Sequence, residues 1–290
     1  MKSNARRLVT GFLILSLWGG KVVQAQIPAS SSPFSVMVCY PGGPIKAADA
    51  RPALDSMVKV IESAGHFKPG SMSSQFTTNL DECRKTLAQN PPQFAIISLG
   101  LFLEYETACH LTPVAQPNIE GKTADTYRIL VKKGTFGNLD ALQGKTLGGT
   151  HLQEPLFLQR IVLKNRFDPA KHFKLQPSPR ALEALRRLNQ GKLDAVIVND
   201  QQYKSLNSLP FAKDLEPIFT SGPVPLMGVV ANTKKSSPED RARLTQALST
   251  MCSDPKGKEL CELFGVESFV PADMNIYKSV KALWTQKAAS

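Results

Sequence analysis

Short apolar runs alternate with amphipathic stretches along most of this chain. Phe34–Cys39 (FSVMVC), Phe94–Leu99 (FAIISL), Tyr127–Val131 (YRILV), Leu193–Val198 (LDAVIV) and Pro225–Ala231 (PLMGVVA) read as buried strands. Helical spacing marks Ala47–Ser63, where Ala50, Leu54, Met57, Val58 and Ile61 share a face, and also Gly100–Cys109, Glu154–Arg166 and Arg180–Leu188. Asn79 is the expected N-cap of a helix over Asn79–Ala88. Ser237-Pro238-Glu239-Asp240 starts another, with a capping Ser, an early Pro and acids facing the helix dipole. Leu139–Lys145 predicts a short helix stopped at Gly144, then a strand at Thr146-Leu147. The remainder to Trp284 reads as helical, with a break over Gly265–Asp273.

Short buried strands alternating with helices specify an α/β protein with mostly parallel sheets and helices on both faces. Ligands of such sheets bind beyond the C-terminal ends of strands. That rule nominates four loops: Tyr40–Pro44, Ser98–Gly100, Gly148–Leu152 and Asn199–Asp200.

Residues 1–25 read as a cleaved export signal. Lys2, Arg6 and Arg7 precede the uncharged run Leu8–Gly20, which is shorter than the roughly 20 residues a membrane-spanning helix needs. Val23 and Ala25 are the small residues of a cleavage site before Gln26. The expected compartment is the periplasm, reached by the general secretory route because Arg6-Arg7 lacks a fuller twin-arginine pattern. Lys2, Arg6, Arg7 and Lys21 account for four basic residues of this leader, which has no acidic one, so the formal charge falls from +11 to +7 without it. The surplus is scattered, and no basic stripe with interleaved aromatics argues for nucleic acid.

An exported chain can oxidise its cysteines. Cys252 and Cys261 are close in sequence, and Cys83 and Cys109 lie on neighbouring predicted helices, so two bridges are expected and Cys39 is left over. The four histidines show no ligand spacing, no C-x-x-C or H-E-x-x-H occurs, and no cofactor is expected. No G-x-S-x-G or phosphate-cradling loop is present, so the sequence points to a binding protein rather than an enzyme.

Several weak motifs recur in a specific order. Tyr40-Pro41 follows the opening strand, and Gln93–Ser98 precedes a Gly-led helix. Leu139, Leu142 and Gly144-Lys145-Thr146 are followed by Gly191-Lys192-Leu193-Asp194-Ala195, and the tail carries Gly265–Phe269 and Tyr277. In this order the chain resembles the phosphate/phosphite/phosphonate-binding branch of the type 2 periplasmic solute-binding proteins of ABC transporters, over Phe34–Trp284. The resemblance implies two lobes, 26–126 with 226–290 and 127–225, each a mostly parallel sheet flanked by helices and joined by two hinge crossovers near Thr126-Tyr127 and Pro225-Leu226. It implies a monomer that closes over a small-molecule or oxyanion ligand and hands it to a membrane permease. A membrane sensor kinase is the alternative recipient, and an exported enzyme on the same fold a third reading.

The family's Ser/Thr-rich anion turn falls on Gly148–Pro155, where Thr150 and His151 are the suitable polar side chains and Glu154 would repel an anion. The family's Asp after the "DA" strand falls on Asn199, with Asp200 one place later. The expected ligand contacts are Tyr40, Ser98, Thr150, His151, Asn199 and Asp200, and the ligand stays open between a phosphorus oxyanion and a neutral or zwitterionic solute.

Overall fold

The structure, a computed structural model, describes residues 34–43, 46–263 and 265–286. The leader and its cleavage site lie outside the described residues. Thirteen strands are described: β1 (Phe34–Cys39), β2 (Met72–Thr77), β3 (Phe94–Ile96), β4 (Leu111–Asn118), β5 (Ala124–Asp125), β6 (Arg128–Lys132), β7 (Thr146–Gly149), β8 (Lys174–Pro177), β9 (Ala195–Val198), β10 (Leu215–Thr220), β11 (Val224–Pro225), β12 (Val229–Asn232) and β13 (Ser268–Pro271). The helices are α1 (Ala47–Ala64), α2 (Leu80–Gln89), α3 (Leu99–Tyr105), α4 (Pro155–Phe157), α5 (Pro169–His172), α6 (Ala181–Asn189), α7 (Asp200–Leu206), α8 (Pro238–Met251), α9 (Pro255–Leu263) and α10 (Met274–Thr285).

The strands form two large sheets. The first has the order β13-β4-β12-β3-β1-β2 and the second β10-β6-β9-β7-β8. Parallel pairs fill one end of each sheet (β1 with β2 and β3, β7 with β8 and β9) and antiparallel pairs the other, so both sheets are mixed rather than mostly parallel as expected. The chain passes from the first sheet to the second through β5 and returns through β11. These two segments pair antiparallel, Val224 with Asp125 and Pro225 with Ala124, as a short ribbon between the sheets.

The elements follow local chemistry. In α1 the residues Ala50, Leu54, Met57, Val58 and Ile61 are buried on one face. Each large one contributes about 2 kcal/mol on leaving water. Asn79 caps α2 by accepting from the N–H groups of Asp81 and Glu82. Ser237 and Asp240 form a reciprocal capping box at α8. Apolar side chains of both sheets join one cluster, which runs from Met37, Phe102 and Tyr277 to Ile129, Leu147 and Phe157.

Three expectations need correction. The run Pro225–Ala231 is not one strand, because the Leu226 backbone leaves the sheet: its N–H donates to Thr123 and its carbonyl accepts from the Tyr277 hydroxyl. The helix expected over Glu154–Arg166 is shorter and wider. After α4 the chain continues as a π-helical turn over Leu158–Val162, and the left-handed backbone of Lys164 and Asn165 ends it. Cys83 is bonded to Cys39 and not to Cys109. Cys39 lies opposite Thr77 in the β1–β2 register, and α2 begins three residues later, so its first turn carries Cys83 over the end of β1. Cys109 is buried as a thiol that donates to the Leu87 carbonyl at 3.1 Å. Cys252 and Cys261 are bonded to each other.

Candidate functional site

The four nominated loops follow β1, β3, β7 and β9, two strands from each sheet. They meet directly. Gly42, after β1, lies against the side chain of Gln153, after β7. Ser98, after β3, donates its hydroxyl to Glu154 Oε1 at 2.7 Å. The same hydroxyl oxygen accepts the Leu101 N–H at 3.1 Å, so Ser98 caps α3 and spans the two sheets at once.

The turn after β7 depends on glycine. Gly149 has φ of 146°, and a Cβ there would stand 2.6 Å from the Ile197 carbonyl oxygen. This close approach to β9 tips the chain into the turn Thr150–Gln153. Thr150 accepts from the Gln202 side chain at 3.0 Å, tying the β7 loop to α7. His151 turns inward. Its ring meets that of Tyr127 edge-on at 5.0 Å, and its Nε2 is buried without a hydrogen-bond partner. Burial holds its pKa down to about 4, so the ring is neutral at neutral pH.

Two carboxyl groups belong to the same neighbourhood. Burial raises Glu154 above the usual carboxylate range, against the Ser98 hydrogen bond and the charge of Arg84. Burial also raises Asp125, although it accepts from the backbone N–H groups of Asp200 and Thr126. Tyr127 is buried against His151 and Phe157, and its hydroxyl is pushed up by that burial, with Asp125, Glu154 and Tyr40 adding to the shift.

Asn199 and Asp200 have defined structural partners. Asn199 caps α7 in a reciprocal box with Gln202. Asp200 pairs with Arg128 at 2.5 Å and with Lys122 at 3.8 Å, and the Arg128 guanidinium also lies over the Tyr203 ring. A cavity of about 70 Å³ beside them is lined by Asp125, Asn199 and Asp200 among others, room for a couple of waters. Tyr40 stands at the rim, 53% exposed. Asp125, Tyr127 and Gln153 also belong to this neighbourhood and were not among the expected contacts. Tyr127 could have been found from its place at the crossover; a buried Asp125 carries no comparable pattern. A larger hollow of about 540 Å³ lies at the other end of α3, beside Trp284 and the Glu106–Lys281 pair.

Two mixed sheets, joined by a paired ribbon and facing each other through strand-end loops, define the class as a periplasmic-binding-protein fold. Solved structures share it, among them the following three. A binding protein component of an ABC phosphonate transporter from Pseudomonas aeruginosa is 15% identical, with 87% of this chain and 85% of that chain covered and a TM-score of 0.65. A Xanthomonas citri protein bound to ATP is 16% identical, covering 87% and 96%, with a TM-score of 0.64. PhnD1 from Prochlorococcus marinus in complex with methylphosphonate is 14% identical, covering 87% and 97%, with a TM-score of 0.60. No curated protein matches the chain in sequence. Residues 68–277 match the family described as ABC transporter, phosphonate, periplasmic substrate-binding protein, and the chain belongs to that family. Membership brings with it a small-molecule ligand, a permease partner and a periplasmic location.

Proposed function

We propose that the chain captures a small solute between its two sheets and delivers it to the permease of an ABC importer, as an exported monomer without catalytic activity. The observation that carries this reading is the convergence of loops from β1, β3, β7 and β9 around Ser98, Gln153 and Glu154. Lobe one comprises 26–126 and 226–290, and lobe two comprises 127–225. The β5–β11 ribbon serves as their hinge. Residues 1–25 direct export and are removed. Tyr40, Ser98 and His151 meet the solute. Thr150, Asn199 and Asp200 hold the second-sheet loops in place through their bonds to Gln202 and Arg128.

A solute that binds the closed form stabilises it by mass action, by about 2.7 kcal/mol at a hundredfold excess over Kd. That corresponds to a rise in Tm of roughly 5 to 10 °C for a chain of this size. A thermal-shift screen of phosphonates, sulfonates, amino acids and amines, with small-angle scattering on the hits, tests the reading. The expected result is a raised Tm with a reduced radius of gyration. A screen without hits in any class, or turnover of a hit, would refute it.

A further inference from the structure

Glu154 reverses the sign of the group that an anion-receiving cleft would present at this point. The donors at the first-sheet side are the Ser98 hydroxyl and the Leu101 N–H, and both face the Glu154 carboxylate. The carboxylate is packed as well as bonded. A Cβ at Gly100 would collide with Glu154 Oε1 and stand 2.9 Å from Phe157 Cβ, so the first turn of α3 lies directly on the side chain.

The surrounding cations are already paired. Arg84, which bears on Glu154, grips Glu104 with two nitrogens at 3.0 and 3.1 Å. Arg128 and Lys122 are held by Asp200, and Lys204 by Glu120. Asp125 adds a second buried carboxyl beside Tyr127, and His151 supplies a neutral ring. An oxyanion seated beside Ser98 would therefore meet a carboxylate and no unpaired cation among these groups.

We propose that Glu154 sets the specificity of the cleft: the solute presents a cationic or hydrogen-bond-donating group to this carboxylate, and a simple phosphorus oxyanion is refused there. The proposal rests on the binding-cleft reading above and narrows its solute class. An ammonium group suits the site, because it replaces the Ser98 hydroxyl as donor and neutralises the carboxylate in the same contact.

The test is calorimetric titration at pH 7.5 of the wild type and Glu154→Gln with methylphosphonate, aminomethylphosphonate and ethanolamine. The wild type should bind the better amine-bearing probe at least tenfold more tightly than methylphosphonate. In Glu154→Gln the amine affinity should fall at least tenfold and methylphosphonate should gain. Binding of methylphosphonate by the wild type as tight as that of the better amine-bearing probe would overturn the proposal, as would an unchanged order of affinities in the variant. Ser98→Ala is titrated with the same probes as a second variant. Retained amine preference then supports the proposal, and loss of tight methylphosphonate binding marks Ser98 as an oxyanion donor and overturns it. If no probe binds the wild type and its Tm stays unmoved by the wider screen, the cleft reading itself fails and this proposal fails with it.

Discussion

The Ser98 hydroxyl donates to Glu154 at 2.7 Å, joining the cap of α3 on the first sheet to the residue that precedes α4 on the second. The bond serves two groups, since the same oxygen accepts the Leu101 N–H. Ser98→Ala should therefore cost roughly 1 to 3 kcal/mol, the range for a buried polar group losing its partner together with a lost cap. Glu154→Gln should cost less, because the neutral amide keeps an acceptor for Ser98 and removes the expense of burying a charge. Urea unfolding of the two variants at pH 7.5 gives the order. A smaller loss in Ser98→Ala than in Glu154→Gln would contradict this account of the contact.

Gly100→Ala attacks the same contact by volume alone. Its methyl group would press on Glu154 and on Phe157 Cβ, 2.9 Å away. Overpacking of this kind costs about 1 to 3 kcal/mol. The cheapest relief is separation of the two loops, so hydrogen exchange should quicken at Leu101 and around Glu154 while the sheet cores stay protected. Gly137 offers a control, because a Cβ there meets nothing within 4 Å. Gly137→Ala should leave exchange and stability close to wild type, and equal behaviour of the two variants would argue against the steric reading.

The apolar runs of the sequence were enough to locate β1, β3, β6 and β9 and the loops that follow three of them, because the buried positions of these strands are all apolar. The outer strands were not legible. β2 reads MSSQFT, with most side chains only partly covered, and β4 contains Pro113 and Pro117, which ordinarily argue against a strand. β4 accommodates Pro113 next to a register shift against β12. The site was legible to the extent that strand ends define it. What the sequence could not supply was the distant partner of each side chain: that Asp200 is held by Arg128 and that Glu154 turns toward Ser98. Those outcomes depend on contacts between segments up to 72 residues apart in the chain.

His151 should leave a signature in the pH dependence of stability. Its pKa falls from 6.5 to about 4 on burial, so between those values the unfolded chain binds more protons than the folded one. The contribution is fully present above pH 6.5 and is lost as the pH falls toward 4. It amounts to roughly 3 kcal/mol across the window. Glu154 and Asp125 act in the opposite sense, because their raised values favour the folded state at low pH and withdraw that support as the pH rises. Arg84, Glu104 and the Asp200 carboxylate bear on these two groups and are common to every variant compared. His151→Phe keeps a ring against Tyr127 and removes the titration. Urea midpoints at pH 7.5 and 4.5 should therefore differ less in His151→Phe than in the wild type, and equal differences would show that His151 is not buried as a neutral ring.

The two disulfides should differ in their effect on stability because they close loops of different length. Cys39–Cys83 spans 44 residues and Cys252–Cys261 spans 9. Loop-closure entropy assigns about 4 kcal/mol to the longer and roughly 2 to 3 kcal/mol to the shorter. Cys83→Ser should accordingly lower the urea midpoint more than Cys261→Ser does. Cys109 provides an independent check on the pairing. Its thiol is buried, and burial raises its pKa, so alkylation should be slow in the folded protein and fast once the chain is unfolded without reductant. Peptide mapping of the unfolded, unreduced chain should then find one alkylated cysteine, at Cys109. Label at Cys39 instead would mean that Cys83 pairs with Cys109 and that α2 does not sit over the end of β1 as described.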